Sequence, residues 1–313
     1  MSEKLVSRIL SLIPSGTEIV CALGCSSQLV GRSHECDFPP EIRRLPVCTA
    51  SPVDSDKTSQ EIHTQVSQRL SQSLSLYEVL IDRVKDLRPD VVVTQTQCEV
   101  CAVSFEEVER SLRNWVESSP TLISLGAQNL AGVWQDITNV AEGLNQGSNG
   151  QRILEQAHNR INAISQCAAQ RASTPTVACI EWMEPLMAAG NWVPELVALA
   201  GGQSIFGRAG EHAPWITWEA LLEADPEIIV LMPCGFSMSH IQQEFPLLTG
   251  HTEWKRLRAV QTGKVYVTDG NAYFNRPGPR LVESVEILAE ILHPTLFHFG
   301  HQNQAWQLAP PYP

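Results

Sequence analysis

Short apolar runs alternate along the chain with longer stretches whose apolar residues recur every three or four positions. That is the pattern of βα units built on parallel sheets. Residues 8–13 read as a strand, and Ser15-Gly16-Thr17-Glu18 has the spacing of a capping box opening a helix to about Leu23. A second strand is predicted over 29–33, leading into the loop His34-Glu35-Cys36-Asp37-Phe38-Pro39-Pro40. The polar stretch 51–76 reads as a loop with one amphipathic helix, and a helix over 77–87 feeds the strand 91–93. A loop over 95–102, a helix from Ser104 to about Glu117, a strand over 121–125 and a helix over 130–144 complete the first half.

Gln146-Gly147-Ser148-Asn149-Gly150 then breaks the pattern. The longest helical stretch follows, from Gln151 to about Arg171, with Ile153, Ala157, Ile161, Ile164 and Ala168 on one face. A helix of this length either bridges two lobes or packs as a crossover on one sheet; the βα pattern restarts after it, which favours the bridge. The restart gives strands at 177–180, 228–232 and 265–268 and helices at 193–200, about 217–224 and 280–292. The expected fold is therefore α/β, two lobes with mostly parallel sheets joined by one long linker helix. The expected division is 1–147 for the N-terminal lobe, 148–172 for the linker, 173–297 for the C-terminal lobe and 298–313 for a tail.

A weak internal repeat supports two like lobes. Pro89-Asp90 launches Val91-Val92-Val93, and Pro226-Glu227 launches Ile228-Ile229-Val230. An acid stands seven residues before each proline, Asp82 and Glu219. The spacing alone fits either equivalent positions in two lobes or chance.

Of the 313 residues, 43% are apolar and 18% charged, which fits a globular chain and excludes disorder. The formal net charge of −12 repels phosphate backbones, so nucleic acid is excluded as an expected partner. The nine cysteines are odd in number and lie mostly in mixed surroundings, as in a reducing compartment. No apolar run approaches the roughly 20 residues of a membrane span, and residues 1–13 lack the layout of a secretory signal. A cytoplasmic monomer without membrane insertion is expected from the chain as written, and a periplasmic one if the start codon is misassigned.

Dinucleotide, P-loop, zinc-peptidase and nucleophile-elbow motifs are all missing, so no catalytic residues are assigned and a non-enzyme is expected. Cys98-Glu99-Val100-Cys101 is the single CxxC. It reads as two ordinary loop thiols, as a metal or ligand contact completed by His34, or as a redox pair. His34 by itself reads as a hydrogen-bonded loop residue or a metal ligand. Open α/β sheets bind ligands beyond the carboxyl ends of their strands. The strand-end loops therefore supply the candidate site: Pro14, Ser15, His34, Glu35, Gln97 and Cys98 in the first half. The second half supplies Glu181, Trp182, Glu184, Cys234, Tyr273, Phe274 and Arg276. Trp182, Tyr273 and Phe274 suit either stacking on a planar ligand or core packing, and Arg276 suits an anionic group.

Several segments in this order resemble a known family. They are residues 8–18, Val30-Gly31-Arg32-Ser33 through Asp37-Phe38-Pro39-Pro40, and Leu87-Arg88-Pro89-Asp90-Val91-Val92-Val93. Pro194-Glu195-Leu196-Val197 to Gly201-Gly202 and Pro279-Arg280-Leu281-Val282 complete the set. Together they resemble the cobalamin- and siderophore-type substrate-binding proteins of ABC importers. The resemblance covers about residues 6–292. It implies ligand in a cleft between the lobes, no required cofactor, and cobalamin or another metal chelate as ligand. It also implies one surface carboxylate per lobe meeting an ABC permease, at Asp82 and Glu219. Asp82 stands where the family pattern has Glu, which shortens its reach. The Cys98–Cys101 loop and the polar stretch 51–76 depart from the family pattern. An alternative is an intracellular protein or enzyme that handles a metal or metal–tetrapyrrole through Cys98, Cys101, His34, Glu35 and Cys234.

Overall fold

The computed structural model describes residues 7–72, 76–95, 120–171 and 173–310. Contacts divide the chain into two units. Unit 1 gathers residues 1–54, 64–127 and 131–155; unit 2 gathers 55–63, 128–130 and 156–313. The α/β class with a largely parallel sheet in each half, expected from the sequence, is borne out.

In unit 1 the sheet runs in the order β2 (Leu29–Arg32), β1 (Ile9–Ser11), β5 (Val91–Gln95), β6 (Thr121–Leu125), and all pairs are parallel. Its middle strands are buried on both faces, so they read as continuous apolar runs rather than alternating ones. Helix α1 (Pro14–Ala22) starts on Pro14, whose missing amide and fixed φ suit the first helical position. Ser15 therefore sits inside the first turn, and the expected capping box does not form: the N-cap is Ile13, without a side-chain bond. Gly16 lets the helix lie on the sheet, because a Cβ there would meet Val93 Cγ1 at 2.7 Å.

The expected helix over 77–87 is shorter. Glu78–Val79 (β4) pairs antiparallel with Thr49–Ala50 (β3), and the helix begins at Ile81 (α3, Ile81–Leu87). Leu10, Leu12, Cys48, Val79, Val84 and Val92 form one core cluster, with Tyr77, Ile81 and Leu87 against it. This cluster gives the reason: Val79 and Val84 reach one core from a strand and a helix. Unit 1 also holds most of α4 (Leu130–Gly143) and the start of α5 (Gly147–Ala168). The glycine-rich stretch expected to break the chain is instead the first turn of α5. Gly150 permits close approach to α4, since a Cβ would meet Ala141 Cβ at 2.5 Å. The helix expected from Ser104 lies outside the described residues.

In unit 2 the sheet order is β12 (Trp306–Leu308), β11 (Val265–Thr268), β10 (Ile228–Leu231), β7 (Thr176–Trp182), β8 (Met187–Ala188), with β9 (Gln203–Ser204) also on β7. The β11–β10–β7–β9 pairings are parallel; β12 and β8 join antiparallel. The apolar helix α10 (Leu281–Leu292) is buried along its length, and so are Val193, Leu196 and Val197 of α6 (Val193–Leu199). Chain passes from unit 1 to unit 2 within α5, and its second half belongs to unit 2, where Arg160 pairs with Glu286 at 2.7 Å.

The helix α8 (Met238–Thr249) was not foreseen, because Pro246 falls inside it. It is opened by Ser237, whose Oγ accepts from His240 N at 3.3 Å. The tail also folds. Glu290 accepts from Phe299 N, Gly300 N (2.7 Å), His301 N (3.4 Å) and the indole of Trp306 (2.6 Å). Among the described residues no helix is long and apolar enough to cross a membrane.

Candidate functional site

The strand orders locate a crevice in each sheet. In unit 1 the chain moves from β1 outward to β2 and then returns to the other side of β1 with β5. In unit 2 it moves from β7 to β8 and β9, then to the other side with β10. Such reversals of strand order open a crevice beyond the carboxyl ends of the two strands. The polar groups at these two places are the candidate site of each unit.

In unit 1, Ser11, Ser15, Thr94 and Gln95 are buried at the ends of β1 and β5. The Ser15 hydroxyl has no hydrogen-bond partner among the described residues. Residue Pro14 is buried beside it, and the helix N-terminus carries no side-chain cap. The next strand end, after β2, delivers His34 and Glu35. Arg32 fixes this loop: one guanidinium nitrogen donates to the carbonyls of Ser33 (2.9 Å), His34 (3.4 Å) and Cys36 (3.0 Å), the other to that of Arg43 (3.0 Å). Tyr77 donates its phenol proton to Glu35 at 3.1 Å and lies 5.8 Å from the His34 ring. His34 Nδ1 bonds Thr49 Oγ1 at 2.7 Å. Burial first, and the Arg32 charge second, hold the His34 imidazole below its ordinary pKa. Gln97, Cys98 and Cys101 lie outside the described residues.

In unit 2, Trp182 ends β7 and is half-buried, with its indole nitrogen buried and without a hydrogen-bond partner among the described residues. Its ring lies 5.3 Å from Phe236, which follows β10. Phe236 in turn stacks on His240 at 3.8 Å and 7°. His240 Nε2 is 3.9 Å from Glu244, whose other oxygen is buried without a hydrogen-bond partner among the described residues. This row sits at the reversal of strand order, and the sequence points only to Trp182 in it; Phe236 lies in the turn after β10 and His240 in the first turn of α8. Glu181 and exposed Cys234 flank the same strand ends, joined by the Cys234 N to Glu181 O bond at 3.2 Å. Glu184 lies farther along the loop, 3.5 Å from His251, which stacks on Trp218 at 4.3 Å.

The loop after β11 behaves differently. Phe274 is wholly buried, and its carbonyl accepts from the Trp192 indole at 2.6 Å. Arg276 is buried and donates to Asn271 at 2.9 Å. Tyr273 is half-buried with the Arg280 guanidinium 5.2 Å from its ring centre. Burial, then the Glu283 charge, raise its phenol pKa. This loop therefore contributes packing within unit 2, with Tyr273 as its half-open side chain.

Among the described residues no group of three His, Cys, Asp or Glu side chains is arranged to hold a bare metal ion. The seven described cysteines are free thiols. Cys21 and Cys179 are both pushed up to about 12, in each case first by burial, so neither is poised as a thiolate.

Comparison with known proteins places this arrangement. Residues 9–272 match the periplasmic binding protein family, and the chain belongs to that family of substrate-binding, non-catalytic proteins. Among curated relatives, the vitamin B12-binding protein of Vibrio cholerae serotype O1 is 24% identical over 284 residues, covering 89% of this chain and 86% of the relative. Among solved structures, the periplasmic heme-binding protein RhuT from Roseiflexus sp. RS-1 in apo form superposes with a TM-score of 0.68 at 19% identity, covering 92% of this chain and 98% of that one. The periplasmic vitamin B12-binding protein BtuF of Vibrio cholerae gives 0.63 at 22% identity, covering 91% and 96%. The resemblance read from the sequence, to substrate-binding proteins of ABC importers, is thereby borne out.

Proposed function

We propose that the chain binds a large planar ligand, a corrinoid in first place, at the carboxyl-end rims of its parallel sheets. The observation that carries this is the row Trp182, Phe236 and His240 at the strand-order reversal of unit 2: flat side chains set at ring distances of 5.3 and 3.8 Å. Affinity then comes from burial and stacking, with a few polar groups setting orientation. The curated relatives named as vitamin B12 binders support the corrinoid choice. The heme binders among the fold neighbours support the broader class of planar metal chelates.

Titration with cyanocobalamin, followed by tryptophan fluorescence and calorimetric heat, tests the proposal. Binding is expected to weaken about 2- to 12-fold in Trp182→Ala from lost stacking alone. Absence of heat and of any fluorescence change at high micromolar ligand would refute the corrinoid reading.

The proposal extends to an ABC permease as partner. Asp82 and Glu219 both lie in the first turns of short surface helices, α3 and α7 (Trp218–Ala224), and both are exposed. Lys85 lies 4.0 Å from Asp82 and screens part of its charge.

A further inference from the structure

The hydrogen bonds around His34 decide which of its ring nitrogens carries the proton. Thr49 Oγ1 donates its one proton to Ser33 Oγ at 3.0 Å. The same oxygen accepts from His34 N at 3.0 Å, which leaves one lone pair. Its remaining contact, to His34 Nδ1 at 2.7 Å, must therefore be donated by the ring. Neutral His34 is thus the Nδ1–H tautomer, with a bare lone pair on Nε2. No described residue bonds that nitrogen, and the ring is half-buried rather than sealed. The Arg32 clamp on the carbonyls of residues 33, 34 and 36 holds the backbone from which the ring projects.

This is the arrangement by which proteins prepare a histidine as a metal ligand: the far nitrogen donates to a fixed acceptor, setting tautomer and ring orientation. A bare ion asks for three or four protein donors. The described residues gather no such group. A single prepared donor suits a metal whose equatorial positions are already filled by a macrocycle, where one axial ligand suffices. His34 stands just beyond the carboxyl end of β2 (Leu29–Arg32), which neighbours β1 on the carboxyl-end side where the unit 1 crevice opens.

We infer that His34 Nε2 is the axial ligand through which this chain holds a metal chelate with an open axial position, either a corrinoid cobalt or a porphyrin iron. The inference rests on the reading that the chain binds a ligand of this class and names the atom of unit 1 that makes the bond. Binding forms one nitrogen–metal bond and displaces the water or hydroxide that occupied that axial position; no electron moves. Thr49 and Ser33 are positioning residues, acting through the ring.

Four probes test it on the full chain by visible absorption. Two have an open axial position: aquocobinamide and ferric protoporphyrin IX. Two do not offer one: dicyanocobinamide and metal-free protoporphyrin IX. The open probes are expected to give histidine-ligated spectra with the native chain, and the one that binds more tightly identifies the cargo as corrinoid or porphyrin. His34→Ala is expected to lose those bands and to regain them on addition of free imidazole, which also shows that the variant is folded. Thr49→Val leaves the ring but removes its acceptor. It is expected to weaken the open probes about 10- to 100-fold and leave the closed probes unchanged. Identical spectra for native chain and His34→Ala with a bound open probe would overturn the axial assignment and leave ligand binding standing. Failure of all four probes to bind the native chain would overturn both.

Discussion

Glu290 offers the sharpest test of how the C-terminal segment is held. Its side chain is buried on α10 and accepts from three backbone amides and the Trp306 indole. In Glu290→Ala the indole, itself buried, loses its acceptor among the described residues and cannot turn to water. A buried donor left unpaired costs about 1–3 kcal/mol, and the lost charge-assisted bonds to the amides add about 1.5–3 kcal/mol. The sum is about 2.5–6 kcal/mol, taking the amides together because the nearby chain can partly rehydrate. A change of 1 kcal/mol moves the midpoint of a unit this size by roughly 2–4 °C, so the melt of unit 2 should fall by roughly 5–24 °C. Thermal unfolding watched by near-ultraviolet circular dichroism, where the buried tryptophans dominate, reads this directly. Glu290→Gln keeps one acceptor oxygen and should fall between the two. A Glu290→Ala melt within 2 °C of the native chain would refute the reasoning, because the tail would then contribute nothing to the fold.

Two further outcomes are expected. His301 lies 2.9 Å from Glu286, and this hydrogen bond raises the imidazole pKa against the opposing effect of burial. Its stabilisation is thus fully present below the ordinary imidazole pKa and is lost as pH rises through the raised value. Burial pushes Glu286 up, but His301 and Arg160 outweigh it and hold the carboxyl low; its stabilisation is lost as pH falls through that lowered value. The melt of unit 2 should therefore be highest between the lowered Glu286 value and the raised His301 value and fall as pH rises through the latter, and His301→Ala should remove the fall on the alkaline side. An unchanged alkaline slope in His301→Ala would count against the pairing. Charge reversal of Asp82 and Glu219 together should abolish co-purification with an ABC permease of the same cell while leaving ligand titrations unchanged; retained co-purification would sink the docking assignment.

Much of the fold was legible because its signals are local. The internal repeat around Pro89 and Pro226 has a structural counterpart. α3 and α7 are both seven residues long, and each ends on a non-glycine residue in the left-handed region, Arg88 at φ 43° and Asp225 at φ 38°. Each is followed by the proline, the acid and then a buried strand, β5 or β10. Asp82 and Glu219 occupy the second position of their helices in both copies.

What sequence could not show depended on distant partners. Residues 147–150 look like a break until Ala141 is seen against Gly150. Pro246 looks like a helix breaker, yet α8 carries it, and with α8 comes His240, which stacks on Phe236 in the unit 2 site. His34 was legible as a candidate, but its tautomer depends on Thr49, fifteen residues away on another strand. Phe274 reads in the chain as either a stacking or a core residue, and in the fold it is wholly buried, its carbonyl accepting from the Trp192 indole.

The strand at Trp306–Leu308 has a consequence for the molecule's behaviour in crowded solution. Zipped antiparallel onto β11, it occupies the row of amides and carbonyls that an edge of that sheet would otherwise present. A chain cut short before His293 would offer that row to its neighbours. Such a product would gather into β-linked aggregates even while the rest of unit 2 kept its native pairing.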